Sequence, residues 1–284
     1  MDRLRALWDF ADLDGSEHRL REQEALERSG PGRAEVLAQL ARVEGLRGRI
    51  EEGERLLRSA EPLAAGSAIA AARIELERGR LLRSNGSPEA AYPHFESAVE
   101  LALEAGEHFV AADAAHMAAL TAPGREEYDA WTGRGIALAE EHEGASYWLG
   151  PLLNNLGWKR YDAGEYGAAL DAFRKALEAR ERDPDRPKEI AIAHYAVARA
   201  LQALGRHHDA VDELERSLPA WAESGEAPDG WYHEALAESC GPLGRLSEAR
   251  EHASLALSLL PATDPAFEDD ADRVRRLQAL VETS

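Results

Sequence analysis

The chain has 284 residues, with 53 acidic side chains against 33 basic ones and a net charge of −20. Such a surface repels nucleic-acid phosphate and anionic lipid, and no stretch approaches the ~20 apolar residues of a membrane span, so neither nucleic acid nor membrane is expected as a partner. The single cysteine, Cys240, cannot form an intramolecular disulfide, and the leading MDRLRALWDF lacks the apolar centre of a secretion signal, so a cytoplasmic protein is expected.

Apolar residues recur at steps of three and four, without alternating Val/Ile/Thr runs, which predicts an all-α chain. No linker rich in Pro, Gly or Ser separates halves, so residues 1–284 read as one domain. Residues 1–32 are expected to form an N-terminal cap whose Glu17, Arg19, Arg21, Glu22 and Glu24 face water. Residues 33–261 are expected to hold the repeats, and residues 262–284 a capping helix that exposes Asp269, Asp270, Asp272, Arg273 and Arg275.

Between the caps, turn glycines recur at Gly48, Gly86, Gly124, Gly164, Gly205 and Gly244. Ser87-Pro88-Glu89 reads as a cap, a proline at the first helical position and an acid in the first turn, and Asp264-Pro265 repeats the device. Short connections such as Asn85-Gly86 and Ala163-Gly164 return each helix antiparallel to the one before it.

Small and bulky residues hold fixed places around these turns. Leu156-Gly157 precede Gly164, and Ala169, Phe173 and Ala176 follow it; Gly86 is followed at the same offsets by Ala91, Phe95 and Ala98. Residues 152–184 resemble a tetratricopeptide repeat through Leu156-Gly157, Gly164, Tyr166, Ala169, Phe173 and Ala176, and Pro261 falls where that family often ends its second helix. The resemblance covers roughly residues 33–261. Arg78 departs from it, and the copy around residues 108–143 fits after a one-residue slip in register. The implied fold is an all-α solenoid of about six helix hairpins with N- and C-terminal capping helices.

Chemistry is sparse. There is no Gly-rich loop followed by Lys and Ser/Thr, no nucleophile elbow and no His-Glu-x-x-His pair, and Gly133-Arg134-Gly135 reads as a spot on a helix. His194 and His233 occupy equivalent places in adjacent repeats, but two ligands fall short of the three or four a transition metal wants. They are read as partly buried neutral imidazoles, and Cys240 as a packing residue. No metal, cofactor or catalytic residue is expected. An enzymatic site would require groups such as His116, His194 and Glu234 to converge.

The resemblance further implies that the first helix of each hairpin lines a concave face. This places Arg73, Leu76, Arg80 and Arg83 there in one copy, Asn154, Trp158 and Tyr161 in another, then Tyr195, Arg199 and Gln202, and lastly Trp231, Glu234 and Glu238. Aromatic rings supply contact area while Arg, Asn and Gln reach a backbone or carboxylates. The partner-binding residues are therefore expected to be Arg80, Arg83, Asn154, Trp158, Tyr161, Tyr195, Arg199, Gln202 and Trp231. The function read from them is non-catalytic binding of a peptide or protein segment, acidic or ending in a carboxylate; self-association stays open. The alternative is a sensor that encloses a small molecule or signalling peptide with Trp158, Tyr195 and Trp231.

Overall fold

A computed structural model describes residues 2–282; residues 1 and 283–284, at the ends of the two expected caps, lie outside it. The described residues form fifteen α-helices joined by turns and short 3-10 segments, with no strand among them. No helix among them is long and apolar enough to cross a membrane. The chain divides into two compact units, residues 1–152 and 153–284.

In the first unit α1 (Leu13–Leu26) covers α2 (Gly30–Leu46), which pairs with α3 (Ile50–Ala60). Two further hairpins follow: α4 (Ala68–Ser84) with α5 (Pro88–Glu104), and α6 (His108–Thr121) with α7 (Arg125–Glu141). The first helices α2, α4 and α6 lie side by side in that order. Local chemistry sets the helix starts. The Asp12 and Ser29 side chains accept hydrogen bonds from Gly15 N (2.8 Å) and Gly32 N (3.0 Å), using orphan donors of the first turns.

The second unit begins within α8 (Leu149–Asp162), whose hairpin partner is α9 (Tyr166–Glu181). Next come α10 (Pro187–Ala203) with α11 (His207–Arg216), a short α12 (Leu218–Ser224) that seats Trp221 against Ala191, and α13 (Gly230–Cys240) with α14 (Leu246–Thr263). The last helix, α15 (Ala271–Glu282), packs on α13 and α14. Among the described residues six hairpins are thus present, with one helix before the first and one after the last, the all-α repeat fold that the sequence implies.

In four of the hairpins a small residue and a bulky one sixteen residues later form a lock. Gly79 and Gly157 let the partner helix come so near that a Cβ would lie 2.5 Å from the Phe95 ring and 2.3 Å from the Phe173 ring. Ala41/Leu57 and Ala198/Leu214 hold the same relation with fully buried side chains. At the turns, Gly48, Gly86, Gly164, Gly205 and Gly244 adopt φ between +73° and +77°, the left-handed C′ conformation that glycine takes at least cost. Arg78 is accommodated at the edge of its hairpin by Glu61, 2.6 Å away.

Several sequence expectations need correction. Gly124 is extended (φ −147°) and precedes α7 directly. Pro123 excludes Ala122 from the helical region, so α6 ends without a left-handed glycine and the register slips. Pro88 does open α5, but the Ser87 side chain makes no cap hydrogen bond. Asp264-Pro265 does not start a helix: Asp264 ends α14, and α15 begins six residues after Pro265 with Asp270 accepting from Arg273 N at 3.0 Å. Pro261 lies inside the last turn of α14, which continues to Thr263. Arg273, expected on the outer side of the cap, turns inward with 12% of its side chain exposed. Within the first cap only α1 covers the end of the stack; the segment before it reaches Gln39 on α2 and Arg73 on α4.

Candidate functional site

In the first unit one repeat period brings like positions of α2 and α4 together. Arg73 Nε donates to Glu35 Oε2 at 2.9 Å, and Arg80 donates to Glu77 at 2.6 Å on its own helix and to Asp113 on α6. Arg42 lies over the rings of Trp8 and Phe10, at 5.2 and 5.1 Å. A small cleft of about 180 Å³ is lined by Arg42, Glu77, Arg80, Arg83 and Met117, with Arg83 exposed at its edge. Burial alone would raise the Asp113 carboxyl, but the charges of Arg80 and Arg42 outweigh it and hold Asp113 below the usual carboxylate range. Burial pushes His116 down to about 4, against the pull of Asp113, so the ring is neutral at neutral pH.

In the second unit the first helices carry the other expected residues. Trp158 meets the Phe173 ring edge-on at 5.0 Å and lies 5.4 Å from Tyr161 and 6.3 Å from Tyr195, so the three rings pack on the core as a half-buried group. Asn154 is half-buried one turn before Trp158 on α8. Arg199 donates to Glu238 Oε2 at 2.9 Å, and Arg276 on α15 approaches the other oxygen of that carboxylate at 3.5 Å. Gln202 donates to the Ala235 carbonyl (2.6 Å) and Ser239 Oγ (2.7 Å), tying α10 to α13. Trp231 is covered by the Arg273 guanidinium, 4.3 Å from its ring centroid, which also pairs with Glu234 and Asp264.

An open cleft of about 540 Å³ follows from this arrangement, lined by Tyr161, Arg199, Gln202, His207, Glu238 and Arg276 among others. Tyr161, Arg199 and Gln202 are thus brought together. Trp158, Tyr195 and Trp231 are not among its lining residues, and Arg80 and Arg83 belong to the first unit. Arg276 was missed by the sequence reading, although a signal existed: Glu234 to Arg273 is 39 residues and Glu238 to Arg276 is 38. The repeat register therefore extends into the expected cap, and α15 supplies groups to the same face as the first helices.

His194, His233 and Cys240 are absorbed by packing. His194 Nδ1 meets Glu213 at 2.6 Å, and His233 faces His252 at 3.0 Å. Burial and the neighbouring His252 push His233 down to about 4. Cys240 is buried in the core, which raises its thiol. Gly133-Arg134-Gly135 lies inside α7. Among the described residues no group of three or more His, Cys, Asp or Glu side chains could hold a metal ion. Glu234 and His194, engaged by Arg273 and Glu213, do not form a joint acid–base site.

No family model and no curated protein matches the chain. Solved structures do. The apo form of RapI aligns with a TM-score of 0.72 at 13% identity, over 98% of this chain and 84% of its own. Aspartyl phosphate phosphatase F from Bacillus subtilis aligns at 0.57 and 16% identity, over 98% of this chain and 75% of its own. A tetratricopeptide repeat protein from Parabacteroides merdae aligns at 0.50 and 16% identity, over 99% and 97%. With the hairpin locks and turn glycines above, these likenesses define the class: the chain has the fold of a tetratricopeptide-type helical repeat protein. At such identities the likeness is one of fold.

Proposed function

We propose that the chain is a non-catalytic binding module that holds an extended, acidic segment of another protein across the first helices of its second unit. One observation carries this reading. Arg199 and Arg276 converge on the single carboxylate of Glu238 at the cleft, in a chain of net charge −20. The mostly exposed Arg276 guanidinium, held to Glu238 only at 3.5 Å, is a ready partner for an incoming carboxylate, and the neighbouring Tyr161 offers an aromatic edge. Arg42 and Arg83 give the small cleft of the first unit the same sign. Residues that hold one another in pairs suit gripping a segment better than transferring a group.

The sensor alternative called for an enclosed pocket of Trp158, Tyr195 and Trp231. The cleft is open and lined by other side chains, which favours a peptide over a small molecule.

The test is an array of short acidic, neutral and basic peptides bound to the chain and to an Arg276→Glu variant, whose substituted side chain is mostly exposed. Acidic peptides should bind the parent chain and lose about tenfold in affinity, or about 1.4 kcal/mol, in the variant. Equal binding by both chains would contradict the assignment.

A further inference from the structure

The segment Asp2–Phe10 lies on the first-helix face of the first unit instead of extending the cap. Arg73, 71 residues away on α4, grips Asp2 through both guanidinium nitrogens, one of them at 3.3 Å. Arg3 reaches Glu35 (3.0 Å) and Glu27 (2.7 Å). A single 3-10 turn, Arg5–Leu7, sends the Arg5 guanidinium over Tyr147 (4.2 Å from its ring centroid) and near Phe109 (5.5 Å). Trp8 Nε1 then donates to Gln39 Oε1 at 2.8 Å, and Arg42 covers Trp8 and Phe10. The segment is held as a bound peptide is held, by side chains met mainly by groups on α2, α4 and α6, with Tyr147 before α8 receiving Arg5 and with Ser16 and Arg19 of α1 bonding its backbone at Asp9 and Leu7.

Two features separate this contact from ordinary core packing. The receiving groups Glu35, Gln39 and Arg73 are buried charged or polar side chains, which packed apolar residues could replace without loss of stability. In the segment itself only Leu4 is fully withdrawn from water, and Phe10 is 48% exposed. Its hold combines these directional contacts with an apolar anchor, Leu4 in the core with Leu7 and Trp8 packed against it, so a competitor with matching polar groups and an apolar residue can replace the contacts one for one.

We propose that the first-helix face of the first unit is a second peptide site, kept filled by Asp2–Phe10. In exchange for that segment it takes a partner segment presenting a carboxylate to Arg73, an arginine to Phe109 and Tyr147, and an indole N–H to Gln39. This site involves the first unit alone and is independent of the Arg199/Arg276 cleft. An occupied site lowers the apparent affinity for a competitor by the fraction of time it stands open.

The test uses a fluorescein-labelled synthetic copy of residues 2–10 as probe. The full chain carrying Asp2→Ala, Arg5→Ala and Trp8→Ala, with its receiving face intact, should bind the probe about tenfold or more tighter than the parent chain does. A scrambled probe should bind neither. Equal affinity for the two chains, or no binding to either, would overturn the proposal. Should the triple variant fail to fold, hydrogen exchange of the parent chain decides: amides of residues 2–10 opening well before those of α2 and α4 support a detachable segment, and opening together with them overturns it.

Discussion

An Arg80→Met variant should unfold about 3–5 kcal/mol more easily than the parent chain at pH 7, because it strands two buried carboxylates, Glu77 and Asp113, that share one guanidinium. The pH dependence carries the signature. In the parent, Asp113 is held below the usual carboxylate range, so its contribution is present above the unfolded value of about 4 and lost as pH falls through the lowered folded value. Without Arg80, burial dominates and raises the folded value. Protonation then relieves the variant as pH falls from 7 toward about 4, and the stability gap should narrow over that window. Urea unfolding at several pH values reads both effects; a gap that stays constant would show that the triad is not the cause.

The second large effect reverses a common sign. In a helix interior Gly→Ala ordinarily stabilises by about 1 kcal/mol. Gly157→Ala should instead destabilise by about 1–3 kcal/mol, since the new methyl would lie 2.3 Å from a Phe173 ring that is wholly buried and wedged against Trp158. A further Phe173→Leu change should return part of the loss by vacating the space. Denaturant midpoints for the parent and the two variants measure this; a Gly157→Ala chain as stable as the parent would mean the two helices are not locked there.

That lock shows what kind of information the sequence carried. A 16-residue step from small to bulky and a left-handed glycine at the turn are local demands, repeated in several copies, and both were legible. Where a local rule intervened, as Pro123 did before Gly124, the register slipped. Long-range choices were less legible. Arginine is long and flexible, and with 53 acids available the sequence alone does not single out Asp113 for Arg80 or Glu238 for Arg199. Arg276 could have been found by carrying the 38- to 39-residue spacing past Pro261. The place of Asp2–Phe10 could not, because its link to Arg73 spans 71 residues and repeats no period.

The site residues divide along the same line. Tyr161, Arg199 and Gln202 meet at the cleft because period and helix face agree, whereas on the same face Trp158 is drawn into packing on Phe173 and Tyr195 on Trp158. Helical spacing places a side chain on a face without telling how far its neighbours cover it.

Hydrogen exchange with and without a bound acidic peptide bears on the binding face itself. Occupancy of the second-unit cleft should slow exchange in α8, α10, α13 and α15, which carry Tyr161, Arg199, Glu238 and Arg276, and leave α9 and α14 unchanged. Protection confined to those two second helices would place the partner on the opposite side and contradict the account.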